Sequence, residues 1–228
     1  MEPISIRNSA LATKSLVSFD NFEEMWEYAH NHVETHRKKD LEKFWSIVLE
    51  ASKKPFTEHF FIREHMWCCY VAGFSAATIA KKFPQLLLKH NIEDINGNYL
   101  PITQENIRSI DNAADLLEVF GNKRKAESVQ KMRRLIYENG WDMLYRERLM
   151  WKKPEMLNGL PGIGPTLACH LARNLGNINV VKPDVHLMRL ANCYGFKTPE
   201  DMCKAAPGGP IGRTDLVLWL ACVDCGTL

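Results

Sequence analysis

The sequence predicts an all-α fold. Nearly every segment with a hydrophobic period shows the helical one, and runs of β-branched residues bounded by turns are scarce. The totals agree with a globular chain: 46% hydrophobic, 10% aromatic and 25% charged residues exclude a wholly disordered or fibrous protein. At 228 residues the chain forms one domain or two small lobes sharing a cleft, and it is long enough to bury a core without disulfide or metal staples.

Each element has a local reason. Residues 21 to 37 open with the candidate caps Asp20 and Asn21, then place Phe22, Met25, Trp26, Ala29 and Val33 on one face. Leu41, Phe44, Trp45, Val48 and Leu49 repeat that pattern in a second helix, which Pro55 ends. A third begins at Thr57-Glu58; its Phe60, Phe61, Met66, Trp67 and Tyr70 are too apolar for a solvated surface, so it is expected to be buried. Gly73 breaks it, Ser75 caps the next helix, and Pro84 falls within or near that helix's last turns. Residues 96 to 101 read as a loop. Residues 111 to 119 and 122 to 138 read as two helices split by Gly121-Asn122, the second carrying Lys123, Arg124, Lys125, Lys131, Arg133 and Arg134, the most basic stretch of the chain. A short helix follows Pro154 and reaches Gly159; another runs from about Thr166 to Leu175, then come a turn at Gly176-Asn177 and a helix from about Asp184. Pro207 to Pro210 is a loop, and Asp215 to Cys222 is a last short helix.

The formal net charge of +2 is far from that of proteins that hold nucleic acid by bulk charge, so any DNA binding must come from local features. The N-terminal residues show no basic segment followed by an apolar run, and no stretch reaches the ~18 apolar residues of a membrane span. A cytoplasmic or nucleoid-associated protein without membrane contact is therefore expected. Seven cysteines, with Cys68 and Cys69 adjacent, do not resemble a disulfide framework, and reduced thiols fit the cytosol.

The segment from 154 to 173 carries the functional reading. It reads as helix, then Leu160-Pro161-Gly162-Ile163-Gly164, then helix. Two glycines around one apolar residue let the backbone turn tightly with positive φ while Ile163 plugs the space between the helices. The N–H groups of Gly162, Gly164 and the next helix start then point outward, an anion site that fits one DNA phosphate without reading sequence. Taken alone, a Gly-x-Gly is equally a plain helix-to-helix turn.

The motif Leu160-Pro161-Gly162-Ile163-Gly164-Pro165-Thr166-Leu167-Ala168, followed by Val180-Val181-Lys182-Pro183-Asp184-Val185-His186-Leu187-Met188-Arg189-Leu190, resembles the helix-hairpin-helix/Gly-Pro-Asp DNA glycosylase superfamily. The resemblance covers residues 154 to 191, about a sixth of the chain, in both halves and in their spacing. It implies a two-lobed glycosylase fold, with residues 1–55 plus 179–228 forming a discontinuous lobe that carries the catalytic Asp. Residues 56–178 would form a central lobe with the helix-hairpin-helix at about 154–175. Double-stranded DNA containing a modified base would lie across the cleft, its target base flipped in, and the protein would act as a monomer without cofactor.

Breaking an N-glycosidic bond builds positive charge on the deoxyribose, which a carboxylate stabilises while it orients or deprotonates water. Asp184 has that chemistry, and free N–H groups at a helix start stabilise its charge; by itself it also reads as an ordinary N-cap. Its position eighteen residues after Thr166, in the motif, makes it the catalytic candidate. Bifunctional members of the family carry at Thr166 a lysine that forms a Schiff base and cuts the strand. Threonine cannot, so the resemblance implies a monofunctional enzyme without lyase activity unless another lysine such as Lys182 substitutes. Many relatives also hold a four-cysteine iron–sulfur cluster; Cys193, Cys203, Cys222 and Cys225, at gaps of nine, eighteen and two residues, do not match that pattern, and no metal is expected.

The expected DNA contacts are Gly162, Ile163, Gly164, Thr166 and Lys182, with Lys123 and Arg124 from the basic run, which is equally a solvated helix face. Base flipping needs aromatic walls and a side chain to fill the vacated stack. Trp67, Tyr70, Phe74 and His186 are the candidates, Phe74 for the wedge; Trp67 also reads as core, His186 as hydrogen-bonded structure, and Arg189 as a structural or phosphate-paired arginine. Three functions stay open. The first is a glycosylase for an alkylated or deaminated base or a bulky phage-type modified base, the latter as antiviral defence. The second is a glycosylase-fold transferase that attaches an amino acid or polyamine to an activated thymine in phage DNA. The third is a DNA-binding module in which Asp184 is only a cap.

Overall fold

The structure, a computed structural model, describes residues 19–108 and 117–225. Helices dominate it: α1 (Phe22–His36), α2 (Lys38–Lys53), α3 (Glu58–Val71), α4 (Ala76–Lys89), α5 (Gln104–Arg108), α6 (Lys123–Asn139), α7 (Trp141–Leu144), a π-helical turn (Tyr145–Leu149), α8 (Pro154–Leu157), α9 (Pro165–Asn174), α10 (Val185–Cys193), α11 (Pro199–Ala205) and α12 (Ile211–Cys225). Among the described residues the only β pairing is a single antiparallel bridge between Glu93 and Tyr99. The all-α expectation holds.

The caps explain the boundaries. Asn21, Thr57, Ser75 and Asn122 each accept a backbone N–H three residues on, which satisfies one orphan donor of the following helix. Helix α4 runs through Pro84 to Lys89. Most of the helix expected over 111 to 119 lies outside the described residues. The last helix starts earlier than expected, at Ile211, and α5, α7 and α11 are additional to those expected.

Two hydrophobic cores form. The central core takes Phe61, Ile62, Met66 and Tyr70 of α3, Val129 and Met132 of α6, and Ala168, Leu171 and Ala172 of α9. The other takes Met25, Trp26 and Val33 of α1, Trp45 and Val48 of α2, and Leu187, Leu190, Leu216, Leu218 and Leu220 from α10 and α12. Val180 belongs to the first core and Val181 to the second, so the seam between the cores passes through the segment that leads into Asp184. Gly176 ties that segment down. It has φ +101°, and a Cβ there would stand 2.4 Å from the backbone of Ala51 and Ser52 at the end of α2, an approach only glycine allows. Nearby, Lys152 Nζ donates to the Ala51 carbonyl at 2.6 Å and Asn177 Nδ2 to the Lys152 carbonyl at 2.9 Å.

Candidate active site and DNA interface

The hairpin joins α8 to α9. Gly162 takes φ +77°, and a Cβ there would lie 2.6 Å from Ser128 Cβ and 3.0 Å from Cys69 Sγ, so the turn packs against α6 and α3 at the limit of contact. Gly164 differs from expectation. As N-cap of α9 it has φ −90° and ψ −178°, an extended geometry open to any residue, and a Cβ on it would meet nothing within 4 Å. The positive φ expected at both glycines is therefore confined to Gly162.

Ile163 is 3% exposed and plugs the central core. Its N–H donates to the Leu160 carbonyl at 2.8 Å and its carbonyl accepts from Gly159 at 3.0 Å, so of the hairpin residues expected on DNA it has neither side chain nor amide to offer. The N–H groups of Gly162, Gly164 and Thr166 make no hydrogen bond among the described residues. Beside them is a concavity of about 490 Å³ lined also by Ala72, Asn122, Arg124 and Ser128. From beneath, α3 holds the turn: His65 Nε2 donates to the Pro161 carbonyl at 2.7 Å. Burial pushes that imidazole down to about 4, the Pro161 bond pulling the other way.

The basic run of α6 divides. Lys123 and Arg124 are exposed, Lys123 lying 3.8 Å from Glu127. Lys125 donates to the Ala72 carbonyl at 2.6 Å and to that of Cys69, closing the C-terminus of α3, and its ammonium stands 5.2 Å from the Phe74 ring centre. Arg133 is fully buried. The run is thus not one solvated stripe: one cation is a helix cap and another is core.

Asp184 is the N-cap of α10. Its Oδ1 accepts from the N–H groups of His186 at 3.0 Å and Leu187 at 3.2 Å, while Oδ2 stands 3.4 Å from Lys182 Nζ; both side chains are largely buried, 13% and 19% exposed. The cap and the catalytic reading therefore use different oxygens. Lys182 Nζ faces Asp184, which places this amine at the carboxylate. Thr166 and His186 are half-buried.

Sequence reasoning does not reach Asp215. This residue of α12 is 1% exposed, its Oδ2 accepts the main-chain N–H of Lys182 at 2.6 Å, and Arg173 of α9 lies 2.8 Å away as an ion pair without the alignment of a hydrogen bond. Desolvation raises its carboxyl above the ordinary range, with the Arg173 charge and the Lys182 N–H opposing. A signal for it exists: Asp215 is the one charge in Thr214-Asp215-Leu216-Val217-Leu218, an acid in an otherwise apolar run. His170 of α9 is also buried, and burial, then the charges of Lys182 and Arg173, holds it neutral well below its usual range.

The aromatic candidates separate. Tyr70 is fully buried, with its hydroxyl 2.8 Å from His90 Nε2, and the structure does not bring it to an open surface. Trp67 packs edge-on against Phe83 and is partly buried on the central core. Phe74 is 45% exposed after α3 and rests on Phe120 at 4.8 Å between ring centres. Among the cysteines of the expected mismatch, Cys203 and Cys222 are buried, Cys225 is half-buried and Cys193 is exposed. The described residues hold no group of three or more His, Cys, Asp or Glu arranged for a metal ion.

No family model matches the chain, and no curated protein matches it. Solved structures do. The crystal structure of the 8-oxoguanine DNA glycosylase of Thermotoga maritima superposes with a TM-score of 0.59 at 20% identity, over 87% of this chain and 96% of that one. The 8-oxoguanine glycosylase/lyase of Methanocaldococcus jannaschii, in complex with a 15mer DNA containing 8-oxoguanine, gives 0.56 at 17% identity, over 90% and 99%. The chain has the fold of these glycosylases. Its all-α, helix-hairpin-helix architecture is shared with them along nearly their whole length, well beyond the sixth of the chain that carries the motif. No helix among the described residues is long and apolar enough to cross a membrane.

Proposed function

We propose that the protein is a DNA N-glycosylase that turns a damaged or modified base out of double-stranded DNA and hydrolyses its N-glycosidic bond, leaving an abasic site. The observation that carries this is the geometry of Asp184: one oxygen is fixed by two N–H groups of α10, and the other is left toward the seam beside Lys182. A carboxylate so held stabilises positive charge on C1′ and takes a proton from the attacking water. The glycosylase fold and the unpaired amides of Gly162, Gly164 and Thr166, which suit a phosphate, support the reading. Phe74, exposed just after α3, is the proposed wedge, and Arg124 a proposed phosphate contact. The protein acts as a monomer.

Thr166 offers no amine, which supports a monofunctional reaction. One observation favours a second reading, in which Lys182 supplies the attacking amine that Thr166 lacks: its Nζ stands 3.4 Å from Asp184. The test is incubation with duplexes carrying alkylated, deaminated, oxidised, hydroxymethylated or glucosylated bases. The last two represent the bulky phage-type substrates that a defence role would target. Released base with strand breaks only after alkali supports hydrolysis; breaks without alkali and a borohydride-trapped adduct lost in Lys182→Ala support the lyase. A mass gain on an activated thymine, with no base released, would point instead to the transferase.

A further inference from the structure

The backbone between the π-helical turn and α8 is held in a strained shape. Lys152 has φ +51°, in the left-handed region that residues other than glycine seldom enter. Three hydrogen bonds hold it there: its N–H donates to the Leu149 carbonyl at 3.0 Å, its carbonyl accepts from Asn177 Nδ2 at 2.9 Å, and its Nζ donates to the Ala51 carbonyl at 2.6 Å. The ammonium also lies 5.8 Å from the centre of the Phe56 ring, which packs on Tyr145 of the π-helical turn. Strained residues and π-helical turns are concentrated at functional sites, and neither feature here belongs to the site at Asp184.

The side chain this strain aims is Trp151. It is 55% exposed, with Met150 beside it at 42%, whereas every other tryptophan of the chain is buried or half-buried. Lys153 Nζ stands 5.9 Å from the centre of its ring system. Because Lys152 is bonded to Ala51, the end of α2 with Lys53 and Lys54 lies beside this turn. Lys53 is paired with Glu50 at 3.0 Å; Lys54 and Lys153 are exposed and make no ion pair among the described residues. An exposed apolar surface rimmed by charge marks an interaction site.

The charges select the occupant. A second copy of the chain, closing on the same patch about a two-fold axis, would set these lysines against their own copies. An anionic strand complements them. Indole stacks on the face of an unpaired base of any sequence, and cations beside it meet the flanking phosphates. A base inside a duplex is stacked on both sides and has no free face, so the strand that fits is unpaired at this point.

We propose that Trp151 is a stacking platform for one unpaired base of a single-stranded DNA segment, with Lys153 and Lys54 on its phosphates. The platform is separate from the hairpin and from Asp184, and it goes beyond the glycosylase reading, whose chemistry it does not use. The three hydrogen bonds of Lys152 keep the turn rigid, so binding orders little of the protein.

Fluorescence anisotropy with a short labelled oligothymidylate and with a blunt, undamaged duplex tests the platform. Trp151→Ala is expected to weaken oligothymidylate binding about 5- to 150-fold, the usual effect of removing one stacking partner, and to leave duplex affinity unchanged. Trp151→Phe keeps an aromatic face and is expected to lose less. Lys153→Ala, which leaves the ring and the Lys152 bonds in place, is expected to reduce the slope of log K against log salt for the oligothymidylate by about 0.7. Equal oligothymidylate affinity for the parent and Trp151→Ala overturns the proposal, as does an equal loss on both DNAs or a parent that does not bind the oligothymidylate. Self-association of the parent in sedimentation, abolished by Trp151→Ala, would make the patch an interface between copies instead. The glycosylase reading is decided separately, by base release from modified duplexes.

Discussion

The main-chain N–H of Lys182 donates to Asp215 Oδ2 at 2.6 Å, so a carboxylate thirty-three residues further along the chain fixes the segment that delivers Asp184. The same oxygen faces Arg173, and the three residues come from α9, the segment after it and α12. The site is thereby clamped where the two cores meet.

Asp215→Asn tests the clamp. The variant keeps an acceptor for Lys182 but strips Arg173, itself 6% exposed, of its counter-charge. Leaving one member of a buried pair uncompensated costs about 3 to 5 kcal/mol, which a urea unfolding curve measures. Excision is expected to fall as well, because the Lys182–Asp184 segment loses its fixed point. A variant as stable as the parent would show that the pair contributes little beyond filling space.

Asp184→Asn separates cap from catalyst. Asparagine caps a helix as well as aspartate does, so the Oδ1 bonds to His186 and Leu187 survive, and stability is expected to fall only by the lost pairing with Lys182, less than in Asp215→Asn, where the stranded Arg173 is more deeply buried. The charge proposed to act on C1′ is lost, and the single-turnover rate is expected to drop by at least about 10²-fold while DNA binding persists. Unchanged excision would remove Asp184 from the mechanism and leave it a cap.

The two glycines of the hairpin make opposite predictions for stability. At Gly162 an alanine meets both a positive φ, worth about 1 to 2 kcal/mol, and Ser128 Cβ at 2.6 Å, so Gly162→Ala is expected to destabilise the protein and release the turn from α6. Gly164→Ala adds a methyl group into open space at an ordinary φ and is expected to leave the unfolding midpoint in place. Its effect is reserved for DNA: the methyl group stands where a phosphate would approach the Gly164 and Thr166 amides, so affinity falls. Arg124→Ala is expected to weaken binding regardless of sequence and to reduce the slope of log K against log salt by about 1.

What the sequence made legible follows from how local each signal is. Thr57-Glu58 as a helix start, Ser75 as a cap, Gly73 as a break, and the Leu160 to Gly164 hairpin are short-range chemistry, and the structure has each of them. The φ of Gly164 is not legible, since a glycine permits both signs and only the packing of α9 chooses. Arg133 and Lys125 look alike in a basic run; which is buried and which caps α3 depends on α5, on the turn after α4 and on the end of α3. Asp215 and the Glu64–Asn174 bond join residues far apart in the chain, which no periodicity connects. By contrast, Thr198-Pro199 before Glu200 and Asp201 is a cap followed by proline at the first helical position, a readable start for α11.

Stability is expected to fall as the solution is acidified from pH 6.5 toward 4, and His65 is a principal cause. Burial pushes its imidazole down to about 4 and that of His90 to about 3, and His170 moves the same way. A depressed histidine binds its proton more weakly folded than unfolded. Its contribution is therefore complete above pH 6.5 and is lost as pH falls to the folded value, on the order of 3 kcal/mol for His65. Glu64, raised from 4.5 to about 7, runs the other way: its contribution is complete below 4.5 and is lost as pH rises toward 7, which flattens the upper part of the curve. Urea midpoints for the parent and His65→Gln at pH 7 and at about pH 4.5 isolate the histidine term. Glutamine keeps a donor for the Pro161 carbonyl and cannot take up the proton, so the variant is expected to be weaker than the parent at pH 7 and to lose less of its stability on acidification. Parallel losses in the two proteins would mean that His65 is not a buried neutral group and that the hairpin is held to α3 by something other than its bond to Pro161.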